Sequence, residues 1–366
     1  MKKLLAGFIS LLLIGAGGAW ANDDSDDDRS AVRRFATLPD GVRFPEGITA
    51  NPANGDIYVS TFDAPDPVTN PAPNNKLLRY NRHGHLVAVR DFGLTPLLGL
   101  EFDRAHQKVY IASVGDFSGT GSRIQRIAAN FNGSTPIENV AEILPVGAPG
   151  DRTVGNPDGS SDTIKFGGGA RVPNALTFDS HGNLYVSDSF QGAIFNIDNP
   201  NACVPNCTAH KWAHDPLLAT AGFPPFGANG LAFNDHDAAL FIANTGDDRI
   251  LKVDPVTKVV SIFAESINGA DGIAFDRRGR LWVCANQNDE VVALNTKGRV
   301  IVRLGAFEGI RHDGSPKGLL FPASLVIVGG EIFVTNLALP LNGQAGDEPE
   351  EDVTRWTVSR IKLPHD

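Results

Sequence analysis

One short phrase recurs six times along this chain and constrains its fold more than any other feature. Each copy has a lead-in, a small residue, an apolar residue, a turn and then an apolar strand. The clearest copies are PNALTFDSHGNLYVSDS from Pro173, ANGLAFNDHDAALFIANT from Ala228 and ADGIAFDRRGRLWVCAN from Ala270. Weaker copies begin at Pro45, Leu97 and Pro322. Equivalent positions in successive copies lie 42 to 76 residues apart. Four-stranded units that repeat with about this period are typical of a β-propeller.

The copy from Ala228 shows best how one unit folds. Its pattern predicts four strands, at 230–233, 239–243, 249–253 and 259–264, separated by turns. The sixth unit lacks one strand before the chain ends, and AVRRFATL at 31–38 resembles the outer strand of another unit. We therefore predict an all-β, six-bladed propeller with blades of four antiparallel strands, spanning 31–366 as one domain. The N-terminal strand closes the last blade, which removes an exposed sheet edge.

Aligning the six copies exposes one column in which polar residues recur. The column contains Glu46, Leu98, Asn174, Asn229, Asp271 and Ala323. Inner strands line the propeller axis, so these side chains are expected to converge there. Two carboxylates and two amides are ligands that Ca²⁺ prefers, with Mg²⁺, Mn²⁺ or Zn²⁺ as alternatives. Unpaired buried carboxylates are costly, and a cation would offset that cost. Alternatively, these side chains only bond neighbouring strands and bind nothing.

Long irregular segments are predicted on the rim where this column opens. They cover 63–75, 145–171, 205–227, 306–321 and 337–354. Long loops on one rim commonly form a binding site. His312 lies in one of these loops and is a weaker candidate for the site. His83, His181 and His236 fall in turns of the opposite rim, where we expect them to be solvated.

These motifs resemble the family of senescence marker protein, gluconolactonase and luciferin-regenerating enzyme, which are six-bladed propellers that include sugar lactonases. The resemblance covers most of the chain and is strongest from 171 to 305. It implies that Glu46 (PEG), Asn229 (ANGLAF) and Asp271 (ADGIAFD) hold a metal ion. It also implies that Asn174, with Arg171 shortly before it, binds water or substrate. The Arg171-to-Asn174 spacing is one residue longer than in the family.

The same four-residue pattern is similar to that of paraoxonases and of drug-responsive bacterial lactonases. Paraoxonases carry catalytic histidines near the metal, whereas the second unit here continues VYIASVGDFSG without one. Propellers of this kind also support unrelated reactions, so the fold alone does not determine the activity.

The first 21 residues, MKKLLAGFISLLLIGAGGAWA, are typical of a secretory signal peptide cleaved after Ala21. The apolar run is short for a membrane anchor, the alternative interpretation. The acidic stretch 22–30 (NDDSDDDRS) is predicted to be a disordered tether. We therefore expect a periplasmic or secreted protein with no membrane span after signal removal. The formal charge of −10 argues against nucleic acid as a partner. Oligomeric state is left open.

The chain has three cysteines. Cys203 and Cys207 are close in sequence, and in an exported protein they are expected to form a small disulfide loop. His210 and His214 follow them, so a zinc site of the Cys-x3-Cys-x2-His-x3-His type is an alternative, as are free thiols. Cys284 lies in an apolar strand and is expected to be a small core residue.

The polar column predicts a divalent cation, and the family resemblance implies that the protein is a metal-dependent hydrolase that opens a lactone or a similar ester. The metal would lie at the top of the propeller axis on Glu46, Asn174, Asn229 and Asp271. Asp271, or water on the metal, would act as the base, and Arg171 and Asn174 would hold the substrate. The alternative is a non-catalytic, calcium-stabilised periplasmic propeller that binds a ligand or protein through its long loops.

Overall fold

A computed structural model describes residues 32–65, 70–117, 120–166, 168–203, 206–342 and 346–364. The predicted signal peptide (1–21) and acidic tether (22–30) lie outside the described residues. Within the described part of the chain, no helix has both the length and the apolar character needed to cross a membrane.

Six sheets, each with four antiparallel strands, confirm the predicted six-bladed propeller, and the sheet of blade 2 gains a fifth, short parallel strand. The strands of each blade are given below from the inner strand to the outer strand. The strands are Pro45–Asn51, Asp56–Thr61, Asn75–Tyr80 and Leu86–Gly93 in blade 1; Leu97–Asp103, Lys108–Ser113, Arg123–Ala128 and Glu138–Glu142 in blade 2; and Pro173–Phe178, Leu184–Asp188, Ala193–Ile197 and His210–His214 in blade 3. They continue as Ala228–Phe233, Leu240–Asn244, Arg249–Val253 and Val260–Glu265 in blade 4; Ala270–Phe275, Leu281–Ala285, Glu290–Leu294 and Val300–Leu304 in blade 5; and Pro322–Val328, Glu331–Asn336, Thr357–Lys362 and Arg33–Thr37 in blade 6.

The ring closes in two ways. Each inner strand contacts the inner strands of both neighbouring blades, including those of blades 1 and 6. The N-terminal strand Arg33–Thr37 is the outer strand of blade 6, where it pairs antiparallel with Thr357–Lys362. The predicted closure by the N-terminal segment is therefore confirmed.

The core is divided among the interfaces between blades because each sheet buries both faces against its neighbours. Between blades 1 and 2, for example, Tyr58 packs with Phe102 and Val109. Between blades 5 and 6, the fully buried Trp282 packs with Ile332. Alternate residues of each strand serve opposite interfaces, as the two-residue period of a strand requires.

Three of the segments predicted as loops contain strands. Segment 205–227 holds the outer strand of blade 3 and the short strand Cys207–Thr208, which adds in parallel to blade 2. Segments 145–171 and 306–321 hold hairpins of Arg152–Gly155 with Ser161–Ile164 and of Phe307–Ile310 with Pro316–Gly318. The sequence HKWAH gave no strand signal because an outer strand is largely exposed and needs no apolar alternation. Short 3₁₀ helices cover Pro200–Ala202, Pro216–Leu218, Asp235–Asp237, Asn286–Asn288 and Pro349–Asp352.

Cys203 and Cys207 form the predicted disulfide, with their Cα atoms 5.1 Å apart. The bonded cysteines are not available for the alternative zinc site. Arg126 of blade 2 ties this loop down, donating hydrogen bonds to the carbonyl oxygens of Pro200 at 2.6 Å and Cys203 at 3.3 Å. Cys284 is buried, as expected.

Candidate metal centre

A β-bulge lies at the same place in the inner strand of every blade. In blade 1, Pro45 pairs with Thr61 and Ile48 with Val59, so three steps on the inner strand match two on its partner. The same shift occurs in the other five blades. A bulge re-aims the side chains beside it and is common next to binding sites. Here the bulge contains the six aligned residues of the repeat, which we call the axial column: Glu46, Leu98, Asn174, Asn229, Asp271 and Ala323.

The residue after each column position is small because neighbouring inner strands approach closely there. A Cβ atom on Gly47 would lie 2.3 Å from the carbonyl oxygen of Leu98, and one on Gly230 would lie 2.3 Å from that of Asp271. Both distances are shorter than real Cβ contacts allow. Glycine at these positions therefore brings the axial column of adjacent blades together.

The four polar residues of the axial column are buried and line one cavity. Glu46, Asn174, Asn229 and Asp271 are each at most 5% exposed. They form the floor of a cavity of about 40 Å³, and Leu98 lines it beside them. Such a volume holds an ion with one or two waters, since a cavity needs roughly 10–15 Å³ to hold one water. The structure therefore brings these four side chains together at the axis, as the sequence predicts.

Every buried side-chain oxygen that lacks a hydrogen-bond partner, among the described residues, belongs to this cavity. The four atoms are Glu46 Oε2, Asn174 Oδ1, Asp271 Oδ1 and Asn286 Oδ1. Buried polar atoms in folded proteins are nearly always paired, and leaving one unpaired costs about 1–3 kcal/mol. Four unpaired acceptors in one place therefore indicate a site for a cation.

Hydrogen-bond relays fix the orientation of the two column asparagines. Asn174 Nδ2 donates to Ser189 Oγ at 2.9 Å, and that hydroxyl donates to the carbonyl oxygen of Ala228 at 2.7 Å. Asn229 Nδ2 likewise donates to Thr245 Oγ1 at 2.9 Å, and Thr245 donates to the first carbonyl of the blade 5 inner strand at 2.8 Å. With its nitrogen engaged, the Asn174 side chain leaves its oxygen free to accept from, or coordinate, a ligand.

In blade 5 an amide takes the place of the hydroxyl. Asn286 Nδ2 donates to Asp271 Oδ2 at 3.1 Å, so the two oxygens of this carboxylate differ: Oδ2 is bonded and Oδ1 is free. Gly269 makes room for Asn286. A Cβ atom there would lie 1.7 Å from Asn286 Oδ1, and the residue has a φ of +64°, which favours glycine.

Burial disfavours the charged form of both carboxyl groups. It raises the pKa of Asp271 to about 7, although hydrogen bonds from Asn286 and Asn229 oppose the shift. Burial, and then the charge of Asp271, raise the pKa of Glu46 well above its usual range. Two neighbouring acids that resist ionisation together are the arrangement that a divalent cation stabilises.

The relay residues Ser189, Thr245 and Asn286 escaped the sequence prediction. They belong to a second ring, which contains Phe62, Val114, Ser189, Thr245, Asn286 and Leu337. Each follows the last residue of a second strand, and its backbone N–H donates to the carbonyl two residues before the axial column. The signal was present in the repeats, which end VSDS, IANT and VCAN after their second strands.

Two other predicted residues lie away from the cavity. Arg171 is not among the lining residues, and its Nη1 donates to the carbonyl oxygen of Ile143 at 3.0 Å. His312 is exposed in the turn of a hairpin and does not line the cavity either. His83, His181 and His236 are exposed, as expected.

Above its polar floor the cavity is lined by hydrocarbon. The side chains at this mouth come from the ends of blade 1 and blade 6 strands and from the loops entering blades 4 and 6. They are Phe62, Pro224, Phe226, Phe321, Leu337, Leu339 and Leu341. We call this set the apolar mouth.

No protein-family model matches the chain, and neither does any curated protein. Solved structures do match it along nearly its whole length. A luciferin-regenerating enzyme is 14% identical, with a TM-score of 0.59 over 91% of this chain and 95% of that one. Regucalcin from Agrobacterium tumefaciens, described as a calcium-binding protein, is 15% identical, with a TM-score of 0.57 over 92% and 96%. A protein named as a candidate gluconolactonase is 16% identical, with a TM-score of 0.52 over 92% and 94%.

These three structures carry the names of the family that the sequence motifs resemble. At such low identity the similarity shows a shared six-bladed propeller fold, and the chemistry must be argued from the side chains of this chain.

Proposed function

We propose that this protein is a divalent-metal-dependent hydrolase that opens a lactone or a similar ester at the top of the propeller axis. One observation carries the proposal: all the buried, unpaired side-chain oxygens of the described residues gather in one axial cavity. Two proteins that share the fold support the proposal: regucalcin is described as a calcium-binding protein, and the other is named as a candidate gluconolactonase.

The donors fit a hard cation, with Ca²⁺ preferred and Mg²⁺, Mn²⁺ or Zn²⁺ as alternatives. Glu46, Asn174, Asn229 and Asp271 would hold it, with two carboxylates and two amides as all-oxygen ligands. Among the described residues, no group of three or more His, Cys, Asp or Glu is arranged to hold a metal ion, so amide oxygens would have to complete the set. A bound cation supplies a Lewis acid that polarises the carbonyl and offsets negative charge on its oxygen.

The protein's own groups would position the reactants and accept a proton. Asp271 Oδ1 is the carboxyl oxygen without a hydrogen-bond partner, and the bound cation would keep this carboxyl ionised, so that it, or water on the metal, could accept a proton. The relays through Ser189 and Thr245 hold the amides before substrate arrives, so little reorganisation is needed. Leu98 and Phe62 border the floor and limit access of bulk water. Arg171 lies outside the lining and has no part in this proposal.

Turnover of aldonolactones, alkyl lactones and aryl esters tests the proposal. We expect hydrolysis that a chelator abolishes and Ca²⁺ or another divalent ion restores. Asp271→Asn should lower kcat/KM at least 100-fold, in the range found when one transition-state stabilising group is removed.

Asp276→Asn is the matched control, because Asp276 follows the other end of the same inner strand. Its carboxylate is engaged by Arg280 Nε at 2.6 Å and by Trp282 Nε1 at 2.9 Å. This change should cost stability but leave the metal dependence of turnover intact. Equal loss in both variants, or turnover that survives chelation, would refute the proposed mechanism.

The alternative function is a calcium-stabilised propeller that binds a ligand without reaction. The composition of the lining favours it: among the described residues, no His, Lys or Arg side chain lines the cavity. The titratable side chains of the described lining are Glu46 and Asp271, which would both hold the metal, so no further acid–base group remains beside the ligands. Metal-dependent ligand binding without turnover on any of the three substrate classes would select this alternative.

We also propose that the protein is exported to the periplasm or secreted. The Cys203–Cys207 disulfide supports this, since such bonds persist mainly in oxidising compartments. Intact mass measurement of protein expressed with its leader should give a chain that begins at Asn22. A mature chain that retains residues 1–21 would contradict this.

A further inference from the structure

The apolar mouth is assembled from well-packed side chains and is not an accidental opening. The Phe226 ring lies 6.3 Å from that of Phe62 and 5.4 Å from that of Phe190, and Phe62 lies 5.7 Å from Phe117. Edge-to-face and tilted contacts of this kind hold aromatic rings in place. The wall on the blade 1 to blade 4 side is therefore preformed.

Leucines from the segment after the second strand of blade 6 complete the opposite wall. Leu337 is buried against Phe321, whereas Leu339 and Leu341 are only partly buried. Phe226 is also partly buried. Three large apolar side chains thus remain partly open to solvent around a polar floor, and an apolar ligand group would cover them.

The cavity, with polar floor and apolar mouth together, is too small to contain a whole substrate. Its volume of about 40 Å³ accommodates an ion and a small polar group, such as one carbonyl. The remainder of any substrate must extend outward along the partly exposed side chains of the apolar mouth. The polar side chains of the described lining are those of the axial column, Thr245 and Asn286, and the seven residues of the apolar mouth offer no side-chain hydrogen-bond donor or acceptor.

We propose that the substrate is a lactone or ester bearing a hydrocarbon substituent, whose carbonyl reaches the floor while its alkyl or aryl group fills the apolar mouth. This inference rests on the proposed function and specifies its substrate class. A polyhydroxylated sugar lactone fits poorly, because its hydroxyl groups would lose water without gaining partners. Each unpaired hydroxyl is expected to weaken binding by roughly tenfold.

A series of γ-butyrolactones with alkyl substituents of increasing length tests the inference, with glucono-δ-lactone as the polar comparison. The expected kcat/KM rises roughly threefold to fourfold for each added methylene until the mouth is filled. Glucono-δ-lactone should react at least 100-fold less efficiently than the best alkyl lactone. Matched γ-lactams, which the enzyme is not expected to open, report binding alone by calorimetry in the presence of Ca²⁺.

Leu339→Ser should flatten the dependence on chain length for both lactones and lactams. Leu94→Ser is the matched control, because Leu94 is 63% exposed in the loop entering blade 2 and is outside the lining. It should leave the dependence unchanged. Leu341→Ser provides a second mouth variant if Leu339→Ser does not fold.

The outcomes separate the two proposals. Preferred turnover of glucono-δ-lactone, or a flat response to chain length, would overturn the apolar substrate class while the hydrolase proposal stands. Chain-length-dependent lactam binding that Leu339→Ser removes, without turnover of any lactone, would retain the apolar site and refute the hydrolase. Absence of both turnover and graded binding would refute both.

Discussion

Blades 3, 4 and 5 use the top of the propeller differently from blades 6, 1 and 2, although all six share the same backbone. In the first group the residue of the axial column and the residue of the second ring are both polar: Asn174 with Ser189, Asn229 with Thr245, and Asp271 with Asn286. In the second group the corresponding residues are apolar, with Glu46 as the one exception. The bulge and the N–H to carbonyl bond that places the second ring are common to both.

The difference shows how a symmetric scaffold acquires a one-sided site. Polar blades pair each column side chain with a residue that orients it. The apolar blades supply Leu98, Phe62 and Leu337, which exclude water and border the mouth. Glu46 is the exception because it faces the cavity without a relay partner on its free oxygen, Oε2. It contributes charge to the polar side from across the axis.

The largest effect is expected from removing the negative charge of Glu46, which lies across the axis from the polar blades 3, 4 and 5. Glu46→Gln keeps the shape but halves the charge of the site, so Ca²⁺ affinity should fall by roughly 100-fold or more, beyond what loss of an outer-shell partner costs. The thermal shift produced by added Ca²⁺ measures this. Glu101→Gln is the matched control, since Glu101 lies on an inner strand at the other end of the tunnel. If both variants lose the Ca²⁺-induced shift equally, the distinction between the two ends is wrong.

A smaller effect is expected from the relay in blade 4. Thr245→Val is nearly isosteric but removes the acceptor for Asn229 Nδ2, which frees the amide to turn. Outer-shell changes of this kind cost about 10- to 100-fold in metal affinity. Thr245→Ser retains the hydroxyl and should restore most of it. If calcium titrations give the Thr245→Val and Thr245→Ser variants the same affinity, the Thr245 hydroxyl does not orient Asn229.

The pH dependence of stability should depend on whether metal is bound. Without metal, the raised pKa of Asp271, about 7, exceeds its unfolded value near 4, so the folded state binds the proton more tightly. This stabilisation is present at low pH and is lost as pH rises through 7, and Glu46 acts in the same direction. Metal-free protein should therefore melt a few degrees higher at pH 5.5 than at pH 8.

Saturating Ca²⁺ should reverse this trend, because protons compete with the cation for the same carboxylates. The double variant Glu46→Gln, Asp271→Asn serves as the reference. This double variant retains the contribution of Glu101 to the pH dependence of stability, because burial raises the pKa of Glu101 to about 8. A metal-free wild type with the same pH profile as the double variant would rule out the coupled carboxyl pair.

The smallest effect on the site is expected from the disulfide. Cys203→Ser with Cys207→Ser opens a short loop, which should cost about 2 kcal/mol in the chain-entropy model. Neither cysteine lines the cavity, so Ca²⁺ affinity should be unchanged. Comparison of melting temperature with Ca²⁺ affinity checks this, and a large loss of affinity would link the loop to the site.

The fold and the axial column could be predicted because both repeat. The copies from Pro173, Ala228 and Ala270 preserve strand alternation and turn residues, which report the blade, and an aligned column then reports the axis. The relays could not be predicted from the column alone, since Ser189 and Thr245 act through contacts between neighbouring blades. Arg171 was assigned to the site by the family resemblance, although its spacing to Asn174 differs by one residue, and such a match does not determine where a long side chain points.

The outer strand His210–His214 escaped prediction for another reason. An outer strand is half exposed, so burial imposes little pattern on its residues. The apolar mouth also has no sequence period, because its residues come from loops of different lengths. Its members become recognisable only when the ring brings the ends of blades 1, 4 and 6 together.

Direct counting of bound Ca²⁺ by equilibrium dialysis at pH 8 tests the central claim that the polar side of the ring holds one metal ion. Wild type should bind one ion per chain, Asp271→Asn should bind none at the same free concentration, and Leu98→Ala, from the apolar side, should still bind one. Wild type that binds no divalent ion, or Asp271→Asn that binds as wild type does, would contradict the account.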